Sequence, residues 1–421
     1  MKDKLKQLHS DTLVRNSLYL MVSTGIMAVL GFVFWLISAR IFSPEAIGIA
    51  TTLISAMNLI SYVGLLGFNS TFIRMLPTSK NRSEEINTGL ILSISGAILV
   101  SIIYVFLVPY IAPKLGVIHD NWLYGAGFVF MAAMATVNLL TDSIFIAFRA
   151  AKYNLLIDGI IMSSIKLALP FLLVGLGAFG LFAASGAAAA VALVLSIIFL
   201  VTKFGYVPRL HINKATLSRV IKYSFSNYVA NLLNIVPTLV LPLVTLNKLG
   251  AAAAGYYYLA FMIANLLYTV VYAISQSLFA EGSYADRGLR ELLKRATVVL
   301  AAVMIPGAIV LYFGARLLLH VYGPTYAEQA APLLQVFAIA GPMVALYTIA
   351  NVVQRIMKQT RGLIIVNAVY VVTITVCALL WVGNGLVWVG YAWLTGQVLS
   401  GLTGLVLVWR QQRRARSLLA E

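Results

Sequence analysis

The sequence is poor in cysteine, in charge and, above all, in acid. Cys377 is the only cysteine among 421 residues, so no internal disulfide can form. The 13 acidic residues include no D-x-D or D-D. A membrane glycosyltransferase, ligase or polysaccharide polymerase needs an outer-face carboxylate pair or a substantial outside loop, and no such pair occurs. The histidines, His9, His119, His211 and His320, are too scattered for metal-ligand spacing. No G-x-x-x-x-G-K-[ST] occurs, which excludes an ATP site of that kind. The run GLGAFG (Gly175–Gly180) fits the dinucleotide fingerprint by letter only, since it follows no strand and joins two apolar segments. No cofactor is expected.

Apolar residues, by contrast, make up 61% of the chain, charged ones only 10%, and the mean hydropathy is +0.94. A soluble protein cannot hide that much apolar surface, so the composition implies a polytopic membrane protein. Hydrocarbon about 30 Å thick is crossed by roughly 20 apolar residues in a helix. Twelve segments meet that criterion: 14–39, 46–67, 86–111, 122–147, 154–175, 178–203, 224–247, 251–280, 296–320, 329–353, 361–383 and 386–409. The first is too long for a signal sequence and has no small-residue cleavage site after it, so it reads as a permanent helix.

The net charge of +17 is set by topology. With both termini cytoplasmic, 25 of the 30 basic residues fall on the inner side in alternate loops, four fall outside, and Lys166 stands alone within a helix. This is the positive-inside pattern of an inner-membrane protein, and it argues against nucleic-acid binding. The chain also repeats: the turns FSPEAIGIA and NKLGAAAAGYY place Gly48 and Gly255 207 residues apart, about half the chain. The plan is a six-helix bundle over 1–204, a basic cytoplasmic linker over 205–223, and a second six-helix bundle with a basic tail over 224–421. Two repeats flanking a substrate path is a transporter plan.

Ser38–Pro77, SARIFSPEAIGIATTLISAMNLISYVGLLGFNSTFIRMLP, resembles the signature region of the polysaccharide-biosynthesis flippases. Val321–Pro342, VYGPTYAEQAAPLLQVFAIAGP, resembles that family's junction between the ninth and tenth helices. The resemblance implies the multidrug/oligosaccharidyl-lipid/polysaccharide exporter fold: all-α, two six-helix bundles in a V, with a cavity lined largely by helices one, two, seven and eight. It further implies transport of a lipid-linked oligosaccharide, usually carried on polyprenyl pyrophosphate, alongside glycosyltransferases and a polysaccharide polymerase.

The polar residues on those helices form stripes. Thr51, Ser55, Asn58 and Tyr62 share one face of the second helix; Ser224, Asn227, Asn231, Asn234 and Thr238 share one face of the seventh; Tyr258, Asn265, Thr269, Tyr272 and Gln276 share one face of the eighth. Such stripes either hydrogen-bond helix to helix or line a wet lumen. A lumen would supply amides and tyrosines to sugar hydroxyls and cations to phosphates, whose burial unaided costs tens of kcal/mol in a Born estimate. The candidate cations are Arg15, Arg149 and Lys166. Lys166 sits in IIMSSIKLALPF (Ile160–Phe171), where a charge costs about 2.5–3.5 kcal/mol on insertion scales. It could pair with Asp142 or Asp158, snorkel to an interface, contact substrate, or serve ion coupling. Asn138, Asp142 and Arg149 lie near one face of the fourth helix, as a local ion pair or a proton-linked switch, and Asp142 and Asp158 are the coupling candidates. The alternatives on the same fold are a drug/cation antiporter, which should favour carboxylates in its lumen, and a peptidoglycan-precursor flippase.

Overall fold

The computed structural model describes residues 12–284, 289–357 and 359–417. Its long helices are α1 (Thr12–Ile41), α2 (Pro44–Gly64), α3 (Arg82–Ile111), α4 (Trp122–Ala147), α5 (residues 152–173), α6 (Gly177–Phe204), α7 (Lys214–Leu249), α8 (Ala251–Tyr284), α9 (Leu289–His320), α10 (Ala331–Ile356), α11 (Thr360–Trp381) and α12 (Leu386–Ser417). No strand occurs among the described residues. Eleven segments of these residues are long and apolar enough to cross a membrane. One of them, Lys152–Phe204, runs for 53 residues, or about 80 Å at 1.5 Å per residue, far more than one crossing needs. It is broken at Val174–Leu176 and at Gly177, whose φ of +54° favours glycine, and the two halves, α5 and α6, pack on each other.

Local chemistry sets these boundaries. At the start of α2 the Ser43 side chain accepts from the Ala46 amide at 3.3 Å, Pro44 occupies the first turn and Glu45 faces the positive helix end. Asn121 caps α4 by accepting from the Leu123 and Tyr124 amides. At the other end of α4, Arg149 adopts φ +53° in the position usually filled by glycine. Its amide donates to the Ile146 carbonyl, and the Ala150 amide donates to that of Phe145. In α5, residues Leu155–Met162 wind as a π-helix, a local widening often found at functional sites.

The chain divides into two compact units, Met1–Tyr228 and Val229–Glu421. In the first, α4 packs on α2, α3 and α6, while α1 lies against α5. Phe68, Phe72, Ile86, Ile144 and Phe145 form part of its core. Gly89 of α3 sits where a Cβ would run into the Phe72 ring, so α3 lies against the short helix Phe68–Met75. In the second unit, α10 packs on α8, α9 and α12, and α11 on α12. Its centre is aromatic: Trp393 meets Phe261 at 5.1 Å and Tyr370 at 5.9 Å between centroids, and the Tyr268 hydroxyl donates to the Phe337 carbonyl at 2.6 Å. Outer positions of the units are apolar too, as at Phe106, Phe313 and Leu317, which are 67%, 81% and 75% exposed. Buried polar groups together with exposed phenylalanines suit hydrocarbon surroundings.

Residues 205–223, read as one linker, divide in two. Residues 205–213 are extended, and α7 starts at Lys214.

Candidate functional site

The second unit encloses a cavity of about 170 Å³ between α7, α8 and α10. Asn234 comes from α7, and Tyr272, Ser275, Gln276 and Phe279 from α8. Tyr347, Thr348, Asn351, Val352 and Arg355 come from α10. No carboxylate is among the described residues that line it.

A hydrogen-bond network braces this wall. Asn234 Nδ2 donates to the Tyr347 hydroxyl at 2.7 Å, which donates to Asn367 Oδ1 at 2.6 Å. Asn367 Nδ2 donates to Asn351 Oδ1 at 3.0 Å and to the Leu363 carbonyl at 2.9 Å. Asn351 Nδ2 returns to the Tyr347 carbonyl at 3.2 Å. Three helices are thus tied through one buried asparagine, and the Tyr347 ring is held by stacking on Tyr370 at 4.5 Å. Tyr272 and Gln276, by contrast, are exposed. The result is a braced polar wall beside exposed donors, with the guanidinium of Arg355 among them. Such a lining can donate to sugar hydroxyls and to anions, and Phe279 and Tyr272 offer ring faces to sugar C–H groups.

Of the residues singled out from sequence, Asn234, Tyr272 and Gln276 meet in this cavity. The side chains of Ser224, Asn227 and Asn231 lie outside the described residues. Asn58 is half-buried on α2 in the first unit, where Thr51 and Ser55 are buried. Arg15, on α1, and Arg149, after α4, are exposed residues of the first unit. Sequence inspection passed over Tyr347, Asn351 and Arg355, although their spacing of four and four is the same kind of stripe. Asn367 carried a weaker signal, because it is the single amide side chain of α11 and only Tyr370 follows it at close helical spacing.

The first unit holds a second polar centre, where α4 meets the π-helical part of α5. Asn138 Nδ2 donates to Asp158 Oδ1 at 3.0 Å, and the Asp142 and Asp158 carboxyls lie within hydrogen-bonding reach of each other. Asn154 Nδ2 donates to the Asp142 carbonyl at 3.3 Å, and the Ser163 hydroxyl to the Asp158 carbonyl at 2.8 Å. Three further oxygens, Asn138 Oδ1, Asp142 Oδ1 and Asn154 Oδ1, are buried with no hydrogen-bond partner. An all-oxygen set of this kind can accept protons or a hard cation. Asn154, four residues before Asp158, is the member that sequence inspection missed.

Neither cation considered as a partner joins this centre. Lys166 Nζ lies 4.7 Å from the centroid of the Phe34 ring and 6.0 Å from that of Trp35, both on α1, and makes a cation–π contact in place of an ion pair. The rings are 1% and 3% exposed, so the ammonium rests on a fixed aromatic shelf. Asp142 likewise turns to Asp158 and not to Arg149. The ion pairs that helix spacing allowed are not formed because α5 presents Asp158 to α4 and Lys166 to α1.

Residues 13–279 match the family model of the polysaccharide biosynthesis proteins. No curated protein matches the chain in sequence. Among solved structures, the fold is similar to an inward-facing multidrug resistance MATE family transporter of the MOP superfamily, with a TM-score of 0.76 at 14% identity over 94% of this chain and 98% of that one. It is also similar to a MOP superfamily transporter from Pyrococcus furiosus described as having a binding pocket of reverse polarity, with a TM-score of 0.68 at 13% identity over 96% and 95% of the two chains. At these identities the structures speak for the fold alone, but they do so along the whole chain. Together with eleven candidate spans and the family match over more than half of the residues, this gives a multi-pass membrane protein with an exporter-type fold, and the chain belongs to the polysaccharide biosynthesis protein family.

Proposed function

We propose that the protein moves a lipid-linked oligosaccharide, carried on polyprenyl pyrophosphate, across the plasma membrane by alternating access for cell-surface polysaccharide synthesis. The observation that carries this reading is the cavity between α7, α8 and α10, whose described lining holds amides, phenols and one guanidinium and no carboxylate. Asn234, Tyr272 and Gln276, with Tyr347 and Arg355, would hold sugar hydroxyls and phosphate oxygens through charge-assisted and neutral hydrogen bonds. Asn58, Asn138, Asn231, Arg15, Arg149 and Lys166 remain candidate contacts along the path. Asp142 and Asp158 are the candidate coupling pair, loading and releasing a proton or cation as the path reopens. Glycosyltransferases would supply the substrate and a polymerase would consume it.

The test is complementation of a strain lacking its own oligosaccharide flippase. Arg355→Ala and the pair Tyr272→Phe/Gln276→Ala should reach wild-type protein levels, reduce surface glycan and leave lipid-linked oligosaccharide accumulating on the inner face. Wild-type glycan in both variants would remove the cavity from the substrate path. Reporters fused after Lys80, Tyr206 and Arg416 should all register as cytoplasmic, as the basic loops require. The buried Asp142/Asp158 pair gives a second reading some support, since acidic pairs also suit a drug/cation antiporter. Drug resistance conferred by the wild type and lost with Asp158→Asn, without any change in glycan, would favour that reading.

A further inference from the structure

Residues 205–213 form an extended strap fastened along the first two turns of α3. The Val207 amide donates to Ser83 Oγ at 3.3 Å, the Arg209 amide to Asn87 Oδ1 at 3.2 Å, and the Asn213 amide to Thr88 Oγ1 at 2.9 Å. In return, Asn87 Nδ2 donates to the Val207 carbonyl at 3.0 Å, and the Tyr206 hydroxyl donates to Asn87 Oδ1. Three amides and one carbonyl of the strap are thus bonded to α3, while the side chains of Arg209 and Leu210 are exposed.

Two cavities open on either side of this fastening. One, of about 470 Å³, is lined by Lys80, Arg82 and Arg209, with Asn81 and Ser83 beside them. Glu84 is the single carboxylate in its lining and is engaged by Asn213 Nδ2 at 3.1 Å. Arg82 is preset: it donates to the Pro77 carbonyl at 3.1 Å and lies 5.5 Å from the Phe148 ring centroid. The other cavity, of about 280 Å³, runs along Leu90, Ile91 and Ile94 of α3 with Val137 and Leu210. Asn87 and Arg209 line both. A cationic chamber continuous with an apolar groove, at the end of a membrane-spanning helix, has the polarity of one amphiphile. Leu210 is 97% exposed, with Val207 and Ile212 of the same strap 47% and 42% exposed, which suits residues covered by hydrocarbon.

We propose that this composite site holds a phosphate-bearing lipid, its phosphate among Lys80, Arg82 and Arg209 and one hydrocarbon chain along Leu90, Ile91 and Ile94. The chemistry is shared by an anionic phospholipid and by a polyprenyl phosphate. In either case the phosphate replaces water with fixed donors, and the chain covers the groove. The site lies wholly in the first unit and is separate from the cavity of the second.

The test uses delipidated full-length protein in detergent, titrated with phosphatidylglycerol or with a long-chain polyprenyl phosphate and read by native mass spectrometry. The wild type should retain one of these lipids. Lys80→Ala/Arg209→Ala should weaken its retention roughly tenfold or more. Lys152→Ala/Lys203→Ala removes two cations that line neither cavity, and it should change retention less than twofold. Both cavity side chains are exposed, so folding is not at stake, and the single Arg209→Gln should give an intermediate loss. Retention of phosphatidylglycerol identifies the source as bulk phospholipid; retention of the polyprenyl phosphate alone identifies it as the carrier class. The proposal is overturned if neither lipid is retained, if the two double variants lose binding equally, or if glycerol phosphate, which lacks a chain, displaces the lipid at equal concentration.

Discussion

Replacing Asn367 by leucine removes the residue whose side chain hydrogen-bonds the α10 wall to α11. The side chains share the same heavy-atom count and branching, so the chief change is the loss of the amide's polar groups. It deletes the acceptor of the Tyr347 hydroxyl at 2.6 Å and the donor to Asn351 Oδ1 at 3.0 Å, and it frees the Leu363 carbonyl, bonded at 2.9 Å. Hydrogen bonds between membrane helices contribute about 0.6 kcal/mol each on average and at most about 1.7. Two of the lost bonds join helices and amount to roughly 1 kcal/mol, and the third, to the Leu363 carbonyl, lies within α11. The Tyr347 proton is also left without an acceptor in a buried position, at a cost of about 1–3 kcal/mol unless a water replaces it. A net destabilisation of roughly 2–4 kcal/mol is expected, together with loss of the fixed orientation of Tyr347 and Asn234 at the cavity. Thermal unfolding of purified protein in detergent measures the first effect, and surface glycan per transporter molecule measures the second. A double-mutant cycle with Tyr347→Phe isolates the shared bond, and the two losses should be less than additive by about 0.6–1.7 kcal/mol. If Asn367→Leu melts within a degree of wild type and the cycle is additive, the network does not brace the wall.

The Asp142/Asp158 centre predicts that Asp158→Asn and Asp142→Asn each retain wild-type protein yield but abolish dependence of transport on the proton or sodium gradient; unchanged gradient dependence in both variants would exclude the pair from coupling. Lys166→Ala should insert normally and lower surface glycan, with Lys166→Arg partly active because a guanidinium also rests on the Phe34 and Trp35 rings. Asp142→Asn should not rescue Lys166→Ala, since no ion pair joins them, and a clear rescue contradicts the geometry described here. For the strap, Tyr206→Phe should cost about 1 kcal/mol by losing its bond to Asn87. Burial pushes the Tyr206 hydroxyl up to about 12 from an ordinary 10, so the neutral form is favoured in the fold. The resulting stability is complete below pH 10 and is lost as the pH rises from 10 towards 12. The melting difference between wild type and Tyr206→Phe should therefore shrink over that range; a constant difference shows that the hydroxyl does not titrate there.

Segment length is a one-dimensional quantity, and it was enough to read the helices, whereas the family was legible only through the resemblance carried by Ser38–Pro77. A bilayer of fixed thickness selects apolar runs of fixed length, and basic residues between those runs are sorted by side. Turn chemistry was equally local: Ser43, Pro44 and Glu45 start α2 as their types demand. Stripes of period 3.6 also located Asn234, Tyr272 and Gln276 on shared faces before any partner was known. What the stripes faced was decided only by packing. Neighbouring residues on a helix differ by about 100° in direction, so the helix against which each face lies determines the chemistry of every polar group. Asp158 and Lys166 are eight residues apart on α5, yet one meets a carboxyl of α4 and the other two aromatic rings of α1. The π-helical turn between them shifts the phase by an amount that no regular wheel reproduces. Asn367 shows the same limit from the other side. As the single amide side chain of α11 it has a weak periodic signature, and it acquires its role from Tyr347 and Asn351, which α10 brings within 3.0 Å of it.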